Sequence, residues 1–177
     1  PFYFFVGAQK SGSTAIFDAY TNCPHINANP VYKDYHLFFD PKSNKKHIEQ
    51  LQSNPNLPTI HSAVNYMTSK TAIQNIYKFN PDSKSILRLR DPVQRAISAF
   101  FYFKQMGLER RKINDAFTQE LSSPTHIEDP NLSYLNHGLY FQQIENNILP
   151  YFSLSQIKII FFEEIFVNKI INLQELN

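Results

Sequence analysis

The first twenty residues, PFYFFVGAQKSGSTAIFDAY (residues 1–20), decide the fold of this chain. Residues 2–6 are a continuous aromatic and β-branched run, which is typical of a strand buried on both faces. Two glycines around a lysine then interrupt the run at residues 7–12, and a helical pattern begins at Ser13. This order of strand, glycine-bearing loop and helix N-terminus predicts an anion site, because loop N–H groups and the helix dipole both favour negative charge there.

Polar side chains of the loop fit such a site. Lys10 supplies a full positive charge, and Gly12 lets the backbone approach an oxyanion. Further donors are the hydroxyls of Ser11, Ser13 and Thr14. The loop is not a Walker A motif, which places lysine directly after its second glycine. The order Lys-Ser-Gly-Ser-Thr, residues 10–14, resembles the 5′-phosphosulfate loop of sulfotransferases that use the donor 3′-phosphoadenosine 5′-phosphosulfate (PAPS). A phosphate-binding loop of another class is the alternative that the loop alone leaves open.

Composition restricts the class of protein. The chain has 177 residues, of which 42% are hydrophobic and 18% charged, as is typical of one globular domain with a sizeable core. A net charge of +2 is too weak to favour a nucleic-acid partner. The single cysteine, Cys23, excludes an internal disulfide framework and a cysteine-based zinc site. No apolar run reaches the roughly 18 residues that a membrane-spanning helix needs.

Strand and helix patterns alternate along the chain. Strands are predicted at residues 2–6, 25–28, 59–61, 85–90 and 156–162, and helices at 13–22, 43–53, 70–79, 93–105, 109–121, 138–149 and 166–176. The alternation predicts an α/β fold, with a P-loop-type parallel sheet flanked by helices on both faces. Residues 1–177 are predicted to form one domain, since no linker interrupts the pattern. The aromatic residues 100–103 lie all around their helix, which predicts burial on most of its sides.

A second candidate site follows the strand at residues 85–90. Arg90 ends that strand, where open α/β sheets bind ligands, and Asp91-Pro92 reads as a helix N-cap and first-turn proline. Ser98 lies two helical turns further on, on the flank that faces back toward Arg90, and such a pair can grip one phosphate. An ordinary strand-to-helix turn accounts for Asp91-Pro92 but not for Arg90 with Ser98. The segment closely resembles the 3′-phosphate-binding segment of PAPS-dependent sulfotransferases.

Three titratable residues, Lys33, Asp34 and His36, lie among aromatic residues, which is unusual in a plain loop. The plainer alternative is a surface pair of Lys33 and Asp34 beside a semi-buried histidine. Residues 33–38 resemble the Lys-Glu-x-His-aromatic-Phe segment of glycan sulfotransferases, the heparan sulfate and chondroitin type enzymes and their bacterial relatives. In those enzymes the acidic residue is the base on the acceptor. If the segment is extended, Asp34 and His36 point to the same side, so either could reach the acceptor.

The chain departs from that family pattern in two places. The acid is an aspartate, Asp34, with a shorter reach than glutamate. The family segment Glu-x-(Ser/Thr)-Pro-x-Tyr corresponds to His-Ser-Ala-Val-Asn-Tyr at residues 61–66, without the acid and the proline. A later basic loop of the family, which closes over the nucleotide, is expected beyond Asn177, so the resemblance implies a domain that is incomplete at its C-terminus.

The resemblance covers nearly the whole chain and implies a sulfotransferase. It implies transfer of a sulfuryl group from PAPS, which leaves PAP, to a hydroxyl or amine of a carbohydrate or other small hydroxylated acceptor. Lys10 would neutralise the leaving oxygen, residues 11–14 would hold the 5′-phosphate, and Lys33 would orient the acceptor or the sulfonate. Asp34 would take the acceptor proton, with His36 as the second candidate. No metal is required.

Two other classes of protein stay open at this point. One is a P-loop nucleotide kinase or NTPase, and the other is a catalytically inert relative that binds a nucleotide or a glycan. The sequence assigns no compartment: a eukaryotic enzyme of this type would be expected in the Golgi lumen and a bacterial one in the cytoplasm.

Overall fold

A computed structural model describes residues 1–29, 31, 33–34, 37–40, 54–123 and 130–166. Its strands are β1 (Phe2–Gly7), β2 (Asn27–Ala28), β3 (Thr59–Ser62), β4 (Lys84–Leu89) and β5 (Ile157–Phe161). They form one parallel sheet in the order β2-β3-β1-β4-β5. The aromatic run that opens the sequence is therefore the central strand of the sheet.

The described helices are α1 (Ser13–Thr21), α2 (Lys70–Phe79), α3 (Pro92–Gln105), α4 (Ile113–Ser122), α5 (Tyr140–Gln143) and α6 (Phe162–Phe166). A π-helical turn, Ile144–Ile148, continues α5. The Asp91 side chain caps α3 by accepting a hydrogen bond from the Gln94 N–H at 2.8 Å, as the sequence predicts. Ser69 caps α2 in the same way from the Ala72 N–H at 3.2 Å.

Helices cover both faces of the sheet. Successive side chains of β1 point to opposite faces, so each face of this strand packs against a different helix. Phe4 and Val6 pack in one core cluster with Ile73 of α2. Phe5 packs on the other face against Phe17 of α1. The predicted α/β fold with a parallel sheet and helices on both faces is confirmed.

The strand order creates a switch point next to β1. From β1 the chain passes to β2 and β3 on one side of the sheet and then crosses to β4 on the other. The C-terminal ends of β1, β3 and β4 share one edge, where open α/β sheets bind ligands.

Gly7 ends β1 there, and a Cβ atom at this position would lie 2.6 Å from Met67 Cγ and 3.1 Å from the Val64 carbonyl oxygen. A side chain would therefore force the two segments apart.

The helix predicted to be buried on most sides is buried on one side only. Phe100 and Phe103 of α3 pack in a small core with Ala116 and Tyr134. Phe101 is 57% exposed and Tyr102 is 42% exposed. The aromatic run alone did not show this, because a helix with neighbours on one flank buries only residues three or four positions apart, here Phe100 and Phe103.

Other boundaries also differ from the sequence predictions. The helix predicted from residue 109 begins at Ile113, because the Glu109 carboxylate accepts hydrogen bonds from the Arg111 N–H at 2.8 Å and from the Arg111 Nε at 3.0 Å, which forms a turn. The helix predicted at residues 138–149 is a short α-helix followed by the π-helical turn. The predicted helix 43–53 and most of the predicted helix 166–176 lie outside the described residues.

Candidate active site

The loop between β1 and α1 has a geometry that suits an anion. Gly12 immediately precedes α1 with φ +78°, and no side chain caps the first turn of the helix. Lys10 also adopts a left-handed conformation, with φ +63°. Ser11 is fully buried, and its hydroxyl donates to the Ala8 carbonyl. Ser13 and Thr14 begin α1, half-buried and exposed respectively. The N–H groups at the start of α1 are thus left facing the mouth of the loop.

Two arginines at the C-terminal end of β4 donate hydrogen bonds to backbone carbonyls of this loop. Arg88 Nη1 donates to the Gly12 carbonyl at 2.9 Å, and Arg90 Nη1 donates to the Lys10 carbonyl at 3.2 Å. Residues two apart in a strand lie on the same face, so the pair acts on one loop. Arg88 is 1% exposed, and burial lowers its pKa to about 10. Sequence reasoning missed Arg88, although a charged residue inside the apolar run 85–89 was an available signal.

Lys10 lies over an aromatic ring and near a second cation. Its Nζ atom is 3.7 Å from the centroid of the Tyr102 ring. Burial and the nearby Arg90 guanidinium both lower the pKa of Lys10 from its ordinary value. Tyr102 is a second residue that sequence reasoning did not single out.

Three contacts fix the Arg90 corner at the end of β4. The Arg90 guanidinium carbon lies 4.5 Å from the centroid of the Phe162 ring. The Tyr140 hydroxyl donates to the Arg90 carbonyl at 2.9 Å, and the Asp91 N–H donates to Glu163 Oε1 at 3.0 Å. Ser98 lies half-buried on α3, the helix that begins directly after this corner. The predicted loop and the predicted arginine segment are therefore neighbours, joined by the bond from Arg90 to Lys10.

The Lys33-Asp34 pair lies at the same edge, beside the end of β3. The Asp34 N–H donates to the Ser62 carbonyl at 2.7 Å, and Asp34 Oδ1 accepts from the Val64 N–H at 3.4 Å. Lys33 Nζ is 2.5 Å from Asp34 Oδ2, and the Asp34 side chain is 42% exposed. Asp34 has φ +56°, so the backbone is a turn there and not the extended strand on which a shared direction for Asp34 and His36 depends. His36 itself lies outside the described residues.

In residues 61–66, the segment that departs from the family pattern, two buried side chains contact each other. His61 Nε2 lies 3.0 Å from the Tyr66 hydroxyl, and both side chains are buried. The Phe38 N–H donates to the same hydroxyl at 3.4 Å. Burial raises the pKa of Tyr66 well above its ordinary value. This cluster ties residues 37–38 to the end of β3, close to Asp34.

The described residues include no metal-binding cluster and no helix that could span a membrane. Across these ranges, no group of three or more histidine, cysteine, aspartate or glutamate side chains is placed to hold a metal ion. No helix within the same part of the chain is long and apolar enough to cross a bilayer.

A parallel sheet with a glycine-bearing loop at the end of its central strand defines the class of P-loop-type α/β proteins. Within that class, the family profile described as a sulfotransferase domain matches residues 3–176. The chain belongs to the sulfotransferase family.

Solved sulfotransferase structures share this fold. The sulfotransferase from Alicyclobacillus acidocaldarius is 25% identical with a TM-score of 0.80, and the match covers 94% of this chain and 75% of that one. The sulfotransferase domain from the curacin biosynthetic pathway is 15% identical with a TM-score of 0.63, covering 98% of this chain and 71% of that one. Mouse sulfotransferase SULT7A1 in complex with PAP is 17% identical with a TM-score of 0.52, covering 99% of this chain and 55% of that one.

Proposed function

We propose that this sulfotransferase takes its sulfuryl group from PAPS and transfers it to a hydroxyl or amine of a carbohydrate. The observation that carries the proposal is the hydrogen bond of 3.2 Å from Arg90 Nη1 to the Lys10 carbonyl. It joins the loop that suits one phosphate to the arginine that suits another. A donor with phosphate groups at both its 3′ and 5′ positions fits such a pair of neighbouring sites.

The loop offers backbone donors to the 5′-phosphate. The first turn of α1 has no side-chain cap, so its N–H groups and the helix dipole favour an anion at the loop mouth. Because the Ser11 hydroxyl is engaged with the Ala8 carbonyl, Ser11 would contribute its backbone N–H. Gly12 would admit the close approach of the phosphate, and Ser13 and Thr14 would offer hydroxyl donors from the helix start.

Arg90 and Ser98 would hold the 3′-phosphate. The Arg90 guanidinium carbon lies 4.5 Å from the centroid of the Phe162 ring, and the Arg90 carbonyl accepts a hydrogen bond from the Tyr140 hydroxyl. A planar guanidinium with several donors matches a phosphate better than a flexible ammonium does. This assignment distinguishes PAPS from nucleotides that lack the 3′-phosphate.

Lys10 would stabilise the oxygen that leaves sulfur. Sulfuryl transfer resembles phosphoryl transfer, in which charge collects on the leaving oxygen and the enzyme contributes mainly positioning and electrostatics. PAPS supplies the sulfuryl group when bound. Lys10 would face the bridging oxygen and stabilise the negative charge that this oxygen gains as the sulfuryl group passes to the acceptor oxygen or nitrogen.

Asp34 would take the proton that the acceptor loses. Its carboxylate is partly exposed at the sheet edge that carries Lys10, and its ion pair with Lys33 fixes one oxygen. The turn at Asp34 and its bonds to residues 62 and 64 set the direction of the side chain. His36 is the second candidate, and Lys33 would orient the acceptor or the sulfonate. A carbohydrate acceptor is supported by the resemblance of residues 33–38 to the glycan sulfotransferases.

Calorimetric titration with PAP, ADP and ATP tests the donor, since only PAP carries the 3′-phosphate. We expect PAP to bind most tightly of the three. Tighter binding of ATP would support a kinase or NTPase instead, and equal affinity for PAP and ADP would contradict the role of Arg90. Radiolabelled transfer to matched panels of oligosaccharides and simple phenols then tests the acceptor. Transfer to phenols alone would overturn the carbohydrate assignment.

A further inference from the structure

Tyr102 is a partly exposed aromatic residue, and the Lys10 ammonium lies over its ring. It lies on α3 with 42% of its surface exposed, so it does not belong to the small core that Phe100 and Phe103 build. The Lys10 ammonium lies 3.7 Å from the centroid of its ring. An ammonium at this distance over an aromatic face is attracted by the negative face of the ring quadrupole.

The position of Tyr102 on α3 relates it to both parts of the site. Tyr102 lies four residues after Ser98, so the two side chains occupy the same helix face one turn apart. Lys10 belongs to the loop between β1 and α1. The contact between Tyr102 and Lys10 therefore links the helix that carries Ser98 to the loop that suits the 5′-phosphate.

Lys10 and Arg90, two of the cations at this edge, lie over different aromatic rings. The Arg90 guanidinium lies over Phe162 at 4.5 Å, and the Lys10 ammonium lies over Tyr102 at 3.7 Å. Arg90 lies close enough to Lys10 to disfavour the charged form of the lysine. The two like charges therefore lie over two different rings, Tyr102 and Phe162, and do not share one.

We propose that Tyr102 is a positioning residue for Lys10, holding the ammonium over the phosphate loop before the donor binds. The role rests on the proposed function, in which Lys10 faces the leaving oxygen. Without the ring, the long lysine side chain has a free choice of rotamers and a like charge beside it. The ordering of the lysine would then have to occur during the reaction, which lowers its rate.

Three variants separate the ring from general effects of mutation. Tyr102→Leu removes the aromatic face, and Tyr102→Phe keeps it. Phe101→Leu is the matched control, because Phe101 is the adjacent exposed aromatic residue of α3 and its ring packs on Phe100. Tyr102→Gln repeats the removal with a polar side chain in case the leucine variant does not fold.

The first measurement is the NMR signal of the Lys10 ε-methylene group in the ligand-free protein. A group above a ring face is shifted upfield. We expect this shift in the wild type, Tyr102→Phe and Phe101→Leu, and its loss in Tyr102→Leu. An unchanged signal in Tyr102→Leu would show that the contact is absent and would overturn the proposal.

The second measurement is turnover with PAPS alongside affinity for PAP. We expect kcat to fall about tenfold in Tyr102→Leu, with a much smaller change in PAP affinity and with near wild-type turnover in Tyr102→Phe. Loss of the upfield shift with unchanged kcat would overturn the positioning role. A wild-type protein that neither binds PAP nor transfers sulfate would instead overturn the proposed function, and with it this role in transfer, while the NMR result would still decide the contact itself.

Discussion

Glu120 Oε2 accepts a hydrogen bond from the Tyr134 backbone N–H at 2.7 Å. The same buried carboxylate accepts three more, from the Leu135 N–H at 2.9 Å, the Asn136 N–H at 2.7 Å and the Ser133 hydroxyl at 2.9 Å. One side chain of α4 therefore holds the whole turn that precedes Gly138. A Cβ atom at Gly138 would lie 3.1 Å from Pro92 Cβ, so this turn packs directly on the first turn of α3, next to Arg90.

Glu120→Ala should destabilise the protein by about 3–5 kcal/mol, because it leaves several buried donors without a partner. Urea denaturation followed by circular dichroism measures the loss. The control is Glu145→Ala, which removes an exposed glutamate. A loss below about 1 kcal/mol for Glu120→Ala would show that water replaces the carboxylate and that the turn does not depend on it.

His137 should make stability depend on pH. Burial and the nearby Arg95 charge lower its pKa to about 4, against a smaller opposing effect of Glu120. Between pH ~6.5 and ~4 the unfolded chain binds a proton at this residue and the folded protein does not, so stability falls as pH falls through that window. The contribution is on the order of 3 kcal/mol at its full extent.

Urea denaturation of His137→Gln between those limits checks this dependence. The variant should lose less stability on acidification than the wild type does. His25→Gln is the matched control, since His25 is exposed. Parallel pH curves for the wild type and His137→Gln would contradict the assignment.

Lys10→Ala should reduce the rate of sulfuryl transfer by about 10² or more, which is the scale for one group that stabilises a developing oxyanion. Thermal stability should stay close to that of the wild type, because the Lys10 side chain is only partly buried. Lys84→Ala is the control, as Lys84 also lies over an aromatic ring, that of Tyr3, at the opposite end of β4. Wild-type turnover in Lys10→Ala would remove the lysine from the mechanism.

Arg90→Ala and Ser98→Ala should each weaken binding of PAP by roughly 10- to 100-fold, on the scale of about 1.5–3 kcal/mol for a charge-assisted hydrogen bond. Affinity for AMP, which lacks the 3′-phosphate, should hardly change in Ser98→Ala. Calorimetry with both ligands gives the comparison, and Arg110→Ala provides an exposed arginine as control. Equal losses for both ligands in Ser98→Ala would make the segment structural.

Asp34→Asn should lower the transfer rate by ~10²–10⁴-fold with unchanged PAP affinity, because it removes the base. Asparagine tolerates the left-handed backbone at this position and keeps an acceptor for the Val64 N–H. His36→Ala should do less, and Asp18→Asn on the exposed side of α1 is the control. Transfer to oligosaccharides by these variants decides the base. An active Asp34→Asn with an inactive His36→Ala would assign the base to His36.

Prediction from the sequence succeeded for features that depend on residues close together in the chain. The strand–loop–helix order at residues 2–20 and the Asp91 cap depend on neighbours along the chain, and the structure reproduces both. It was less informative where the outcome depends on distant segments. The exposure of Phe101 depends on which flank of α3 has a neighbour. The Glu109 carboxylate that forms the turn before α4 also accepts a hydrogen bond from the distant Tyr134 hydroxyl at 2.9 Å.

From the sequence alone we predict the α/β class, burial of the first strand on both faces and two segments that suit phosphate, and the structure confirms the α/β class. These follow from hydrophobic periodicity and from glycine and capping residues, which act over a few residues. Three features depend on the tertiary structure: the hydrogen bonds of Arg88 and Arg90 to the loop, the position of Lys10 over Tyr102, and the turn at Asp34 beside β3. Those contacts join residues that are far apart in the sequence; Lys10 and Tyr102, for example, are 92 positions apart. The order of the strands in the sheet brings such residues together, and no local sequence pattern encodes that order.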